Sequence, residues 1–191
     1  MDFRLFSKIK LAGQRIYLRP FKRGDETTLL KWGKNEHYHQ TAGFERINNI
    51  EEAKMVLHQY SLRQRSYAIC LQENRQVIGL IELYERGIEN QELLASKEVG
   101  FMLDQKYEGQ GLMTEVLKLV FNYEFTEDGQ EEIWAGTFEN NLKAQGLLKR
   151  LGFTYVYSVD YRNLSELFPY EEKYYLLKKA EWLKIEQNTK S

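Results

Sequence analysis

The sequence predicts an α+β fold with α/β-type layers, in which a mixed central sheet is flanked by helices. Three observations carry that prediction. Short alternating runs at Ser66–Gln72 and Gln76–Tyr84 are joined by the polar link Glu73-Asn74-Arg75, so they form an antiparallel hairpin. Downstream, alternating runs at Glu98–Leu103 and Glu132–Phe138 are separated by a segment of helical period, which is the pattern of a βαβ unit. Between the first of these runs and that helix stands a turn holding Gly109 and Gly111.

Taken in order, Arg15–Pro20 alternates and ends on a proline, as a first strand does. Asp25 is placed to cap a helix running to about Lys34, with Leu29, Leu30 and Trp32 as its apolar side. Asn35–Asn48 has no clear period and reads as a loop. Asn49 with Glu52 three residues on resembles a capping box, opening a helix to about Arg63 with Ala53, Val56, Leu57 and Tyr60 on one face. The hairpin follows, then a polar loop at Arg86–Ser96. After Glu98–Leu103 and a turn at Asp104–Glu108, the residues Leu112, Met113, Val116, Leu117, Val120 and Phe121 recur at three- and four-residue spacings. A further helix is expected from Leu142 to Leu151, with the stripe Ala144, Leu147, Leu148, Leu151 and Gly152 as its stop. Phe153–Asp160 and Lys173–Lys178 read as two more strands, Tyr161–Glu172 as a polar aromatic loop, and 180–191 as a short helix that frays.

Composition excludes several classes. The chain has 191 residues, 42% hydrophobic and 29% charged, which is enough for a real core in one domain. The net charge is −1 and no long basic run occurs, so general nucleic-acid binding is not expected. A single cysteine, Cys70, rules out an internal disulfide and a Cys-based zinc site, and its apolar surroundings mark it as core. His37 and His39 are spaced like a metal pair but lack further ligands, so no metal is expected. No apolar run reaches the roughly 18–20 residues of a membrane helix. No apolar signal core precedes Arg15, and the expected location is cytoplasmic.

The glycine turn is where chemistry is expected. The first N–H groups of a helix have no internal partner, the dipole puts partial positive charge there, and glycine lets an anion approach the main chain. The same pattern also fits an ordinary tight βα turn. Neither a third glycine of a dinucleotide fingerprint nor a G-x-x-x-x-G-K-[ST] run is present.

Two segments, EVGFMLD–KYEGQGLMTEVL and Asn141-Leu142-Lys143-Ala144 followed by Leu148–Phe153 (LKRLGF), together resemble the motifs of the GNAT superfamily of N-acetyltransferases. The opening RIYLRPFKRGDETTLLKW is similar to the entry of its ribosomal-protein N-terminal and polyamine acetyltransferase branch. The resemblance implies one acetyltransferase domain over 1–191, with a core of about 11–179, and acetyl-CoA as co-substrate. It implies direct transfer of an acetyl group to a primary amine in a ternary complex, a protein N-terminus being favoured. A polyamine or aminoglycoside-like amine is the alternative acceptor, and a non-catalytic acyl-CoA-binding regulatory module is the alternative class. Carried over residue by residue, Gly109, Gln110, Gly111, Leu112, Met113 and Thr114 hold the CoA pyrophosphate. Phe101, Met102 and Leu103 meet the pantetheine arm and thioester through their main chain, and Asn141 bonds the CoA arm or simply caps its helix. Glu98 is the candidate base, with Glu82 second. The chain departs from the family at Glu108 and Met113, and Leu148 stands where the family often has its acidic tyrosine, so Tyr155, Tyr157 and Tyr161 are the candidates for that role. The oligomeric state is open, a homodimer included.

Overall fold

The computed structural model describes residues 11–63, 65–86, 95–163 and 170–190. In chain order the elements are β1 (Ile16–Pro20), α1 (Glu26–Gly33), α2 (Glu36–Ala42), α3 (Ile50–Leu62), β2 (Ser66–Leu71), β3 (Val77–Glu85) and β4 (Ser96–Leu103). A short 3₁₀ turn at Gln105–Tyr107 leads to α4 (Leu112–Thr126), β5 (Glu132–Phe138), α5 (Leu142–Arg150), β6 (Thr154–Asp160), β7 (Glu171–Lys178) and α6 (Lys179–Lys190). The strands form one mixed sheet in the order β1-β2-β3-β4-β5-β7-β6. The β2–β3 hairpin is antiparallel, with Ser66 opposite Glu82, and β4 runs parallel to β5 with Glu98 opposite Trp134. Both pairings are as the sequence predicts. Most of the expected loop 86–96, and residues 164–169 of the later one, lie outside the described residues.

Two compact units are distinguishable within the chain, residues 1–82 with 101–120 and residues 83–100 with 121–191; β3, β4 and α4 each pass from one into the other. In the first, Leu29, Trp32, Ile47, Ala53, Val56, Tyr60, Ala68 and Met102 are buried in its core. Phe21 stacks on Tyr60 at 4.9 Å, and Trp32 meets Phe44 edge-on at 6.2 Å. In the second, Phe121 is fully buried between Phe153 (5.4 Å) and Trp182 (5.5 Å). Trp182 is what holds α6: its ring is fully buried and its indole N–H donates to Asn122 at 2.8 Å.

The expected loop 35–48 is corrected in part, because Glu36–Ala42 is helical. This helix buries only Tyr38, so it leaves no apolar period in the sequence. Its ends are nevertheless legible. The Asn35 side chain accepts from His37 N, and Gly43 closes it at φ +62°. The capping expected of Asp25 is also corrected. Asp25 sits at the N-cap of α1 but makes no side-chain cap bond; its carboxylate instead takes both terminal nitrogens of Arg19, at 2.6 and 2.8 Å, and Lys22 N at 2.9 Å. A paired guanidinium outcompetes a neutral N–H for the same oxygens. At α3 the Asn49 side chain caps Glu51 N and Glu52 N as expected. The returning Glu52 carboxylate reaches Asn48 N at 2.7 Å and the Asn49 amide at 2.8 Å, one residue earlier than in the usual box.

Asp104, buried at the end of β4, ties the first unit together. It accepts from Lys31 Nζ at 2.5 Å, Lys106 N at 3.2 Å and the Trp32 indole at 3.3 Å. Burial opposes its ionisation, but Lys31 and the two N–H donors prevail and hold the carboxyl below its usual range. A lowered folded-state value means stability that is present above the ordinary carboxylate range and lost as pH falls through the folded-state value. Because Lys31 is half exposed, Asp104→Asn is expected to cost only about 1–2 kcal/mol at neutral pH. In urea melts the deficit should shrink at acid pH; a deficit independent of pH would show that shape, not charge, matters there.

Candidate active site

The glycine turn lies in the first unit. Gly109 and Gly111 both adopt positive φ, +73° and +74°, around Gln110. Such alternation turns successive N–H groups toward one side and forms an anion-binding concavity. A Cβ added at Gly109 would meet nothing within 4 Å, and one at Gly111 only Arg15 Nη2 at 3.6 Å, so the glycines keep the main chain open to approach. The first helical acceptance in α4 is Glu115 N to Gly111 O, which leaves the N–H groups of Leu112, Met113 and Thr114 at the helix start. The side chains of Leu112 and Met113 are buried in the core, so these residues offer main chain only, whereas Thr114 is half-buried.

The Glu108 carboxylate stands 3.5 Å from His37 Nε2 of α2. A cation unsuspected from the sequence supports the turn. Arg15 Nη1 donates to Gln110 O at 2.9 Å, while its Nε and main-chain N reach the Glu115 carboxylate at 2.9 and 2.8 Å. The carboxylate fits there because residue 13 is glycine: a Cβ would lie 2.4 Å from Glu115 Oε1. Met102 and Leu103 are buried, so their side chains are core, and Phe101 is half-buried. Glu82, the second candidate base, is nearly buried and bonded to Arg63 at 3.1 Å and to the Ser66 hydroxyl at 2.8 Å. The described residues contain no group of His, Cys, Asp and Glu fit to hold a metal; His39 Nδ1 instead meets Phe44 O.

Glu98 lies in the second unit, among partners that the sequence does not bring together. Register places Glu98 beside Trp134, Gly136 opposite Tyr174, Phe138 opposite Glu172 and Tyr157 opposite Tyr174, so all project from one face of β4, β5, β7 and β6. Arg86 Nη1 donates to Glu98 Oε2 at 3.1 Å. Its guanidinium lies 4.0 Å from the centre of the Trp134 ring and 5.2 Å from that of Tyr174, and it also bonds the Tyr157 hydroxyl. Tyr157 stacks on Tyr174 at 4.9 Å. The Tyr174 hydroxyl donates to Glu172 at 2.9 Å and lies 3.0 Å from that of Tyr161. Gly136 makes room for Glu172, since a Cβ there would sit 2.3 Å from Oε1.

Burial pushes the Glu98 carboxyl above its ordinary range; Arg86 pulls it back in part, and the Glu172 charge adds to the rise. Glu172 is raised by burial too, against the Tyr174 hydrogen bond and Arg86. Tyr174 is held far above its usual value by burial and by its bonds to Tyr161 and Glu172, so it stays protonated. A carboxyl held above its ordinary range is the equipment of a general base.

Tyr157 and Tyr161, named from the sequence, join this cluster. Tyr155 does not: it is 53% exposed and packs edge-on against Tyr175. Leu148 is fully buried, which gives a hydrophobic residue at that position a packing role. Asn141 caps α5 by accepting from Ala144 N at 3.1 Å. Sequence reasoning missed Arg15, Arg86, Glu172 and Tyr174. The alternation of Glu171–Lys178 puts Glu172 and Tyr174 on one face, but which strand they oppose is a matter of register.

The chain belongs to the GNAT family: the model of the Acetyltransferase (GNAT) domain matches residues 15–154. It is therefore an acetyltransferase by family, and the family's acyl donor is acetyl-CoA. It is 27% identical over 154 residues to Probable N-acetyltransferase YjcK of Bacillus subtilis (strain 168), covering 75% of this chain and 82% of that protein. A GNAT-family acetyltransferase structure from Bacillus anthracis superposes with a TM-score of 0.78 at 14% identity, over 91% of this chain and all of that one. The spermidine N-acetyltransferase of Vibrio cholerae, solved with CoA and spermine, gives 0.70 at 19% identity over 88% of this chain and 98% of that one. At those identities the two structures speak to the fold. No helix among the described residues is long and apolar enough to cross a membrane.

Proposed function

We propose that this protein moves an acetyl group from acetyl-CoA to a primary amine by direct attack in a ternary complex, with a protein N-terminus as the favoured acceptor. The observation that carries the reading is the turn Gly109–Thr114, with two positive-φ glycines and three helix-start N–H groups over an unobstructed main chain. A pyrophosphate matches that donor set in charge and size. The main chain of Phe101–Leu103 meets the pantetheine arm and polarises the thioester carbonyl, and Asn141 adds its amide to the CoA arm while capping α5. Glu98 accepts the proton of the acceptor ammonium. The freed nitrogen lone pair then attacks the thioester carbonyl carbon, the C–S bond breaks, and the proton that the nitrogen gives up as the amide forms passes to the leaving CoA sulfur. The Tyr157 hydroxyl is the candidate to relay it, taking up one proton as it gives the other.

Turnover of acetyl-CoA against a panel of N-terminal peptides, polyamines and aminoglycosides tests the reading. Consumption with peptides alone supports the favoured acceptor, and consumption with the small amines replaces it. Absence of any thermal shift at millimolar CoA would exclude CoA binding, because a ligand of the native state must raise Tm by mass action. Binding without turnover on any amine would favour a regulatory module instead. The cradle has its own test. Gly111→Ala finds space, but at φ +74° a Cβ strains the backbone by roughly 1–2 kcal/mol. CoA KM is expected to rise about tenfold, with kcat at saturation nearly unchanged. Equal affinity in the variant would show that the turn's shape is not what holds CoA.

A further inference from the structure

The second unit carries a side-chain arrangement that proton transfer by Glu98 does not require. The Arg86 guanidinium is enclosed by the Trp134 face at 4.0 Å, the Tyr174 face at 5.2 Å, the Tyr157 hydroxyl and the Glu98 carboxylate at 3.1 Å. Stacked aromatic faces with a carboxylate at the rim are the equipment of a site for an organic cation. A second carboxylate, Glu172, accepts from the Tyr174 hydroxyl and lies in the field of the same guanidinium. Among the described residues two acidic groups thus face one cation, so the cluster retains attraction for positive charge. Both walls are rigid: Trp134 lies on β5 with its indole bonded to Glu132 at 3.2 Å, and Tyr174 is stacked on Tyr157.

We propose that Trp134, Tyr157, Tyr174, Glu98 and Glu172 form a box for a primary ammonium group, and that Arg86 fills it as an internal stand-in which the ligand displaces. The inference rests on the acetyltransfer reading only in naming the ligand as the amine acceptor. The ammonium takes the place of the guanidinium over the Trp134 ring and beside Glu98, while Arg86 swings to solvent, its side chain being already 28% exposed. Arg86 then acts as a selectivity element. Neutral groups gain nothing by replacing it, and cations must outbind a tethered competitor. Removing that competitor raises apparent affinity, because binding no longer has to displace it.

The test uses the full chain without acetyl-CoA and n-butylammonium chloride as probe, with 1-butanol as the neutral control at constant ionic strength. The chain has three tryptophans. Trp32 and Trp182 are fully buried, and Trp134 is half-buried in the box, so its indole N–H resonance reports occupancy while the other two report folding. The Trp134 signal should titrate with the ammonium and not with the alcohol. Arg86→Met should bind at least threefold more tightly. Tyr157→Phe, which keeps the ring but releases one anchor of the guanidinium, should tighten binding in the same direction. Arg86→Lys should titrate like the wild type. Weaker or equal binding in both Arg86→Met and Tyr157→Phe, or an unmoved Trp134 signal in all forms, would overturn the proposal. CoA-induced thermal shift is measured separately: its loss with the titration intact removes the acetyltransfer reading and leaves the box, and the reverse result removes the box alone.

Discussion

Glu98→Gln is expected to lower kcat with a primary-amine acceptor by roughly 10²–10⁴-fold, the usual worth of a positioned general base, and to leave CoA binding unchanged. The amide keeps the shape and the Arg86 hydrogen bond but takes no proton. The pH profile distinguishes a base from a mere neighbour. In the wild type, activity falls as pH drops and the carboxylate is protonated. Burial and the Glu172 charge raise that carboxyl, so the acidic limb of kcat/KM should lie above the ordinary glutamate range of about 4.3. In Glu98→Gln that limb should vanish. Full activity with an unchanged limb would transfer the role of base elsewhere, with Glu172 the next group to substitute.

The largest effect on stability is expected at Lys97. Its side chain is fully buried, paired with Glu124 of α4 at 2.6 Å and with Asp128. Lys97→Met should cost about 3–5 kcal/mol, since it removes the buried cation that Glu124 and Asp128 share. Adding Glu124→Leu to that variant should recover part of the loss, because it removes the more buried of the two carboxylates together with its desolvation penalty. Guanidinium melts of the two variants check this. If the single variant loses less than about 1 kcal/mol, the group is open to water in solution.

The boundaries of most elements were legible because burial writes a period into the sequence. Glu132–Phe138 alternates buried and half-buried residues, and it is the strand expected. Helix α2 was not legible as a helix, since one buried tyrosine gives no period, although Asn35 and Gly43 mark its ends. Asp25 was misread as a side-chain cap for a related reason: it has the right residue type at the right place, but a guanidinium from β1 claims its oxygens. Local chemistry proposes such contacts, and a distant competitor decides them.

The candidate site divides along the same line. What the sequence by itself determined is the glycine turn, the strand entering it and the helix leaving it, because those features depend on residues within one or two turns of each other. Only the tertiary structure decided that Arg15, about 95 residues away, bonds the Gln110 carbonyl, and that Arg86, Trp134, Tyr157, Glu172 and Tyr174 gather around Glu98. The physical reason is register. Trp134, Tyr157, Glu172 and Tyr174 reach the cluster through strand pairings, and a slip of one residue would turn each to the opposite face of the sheet.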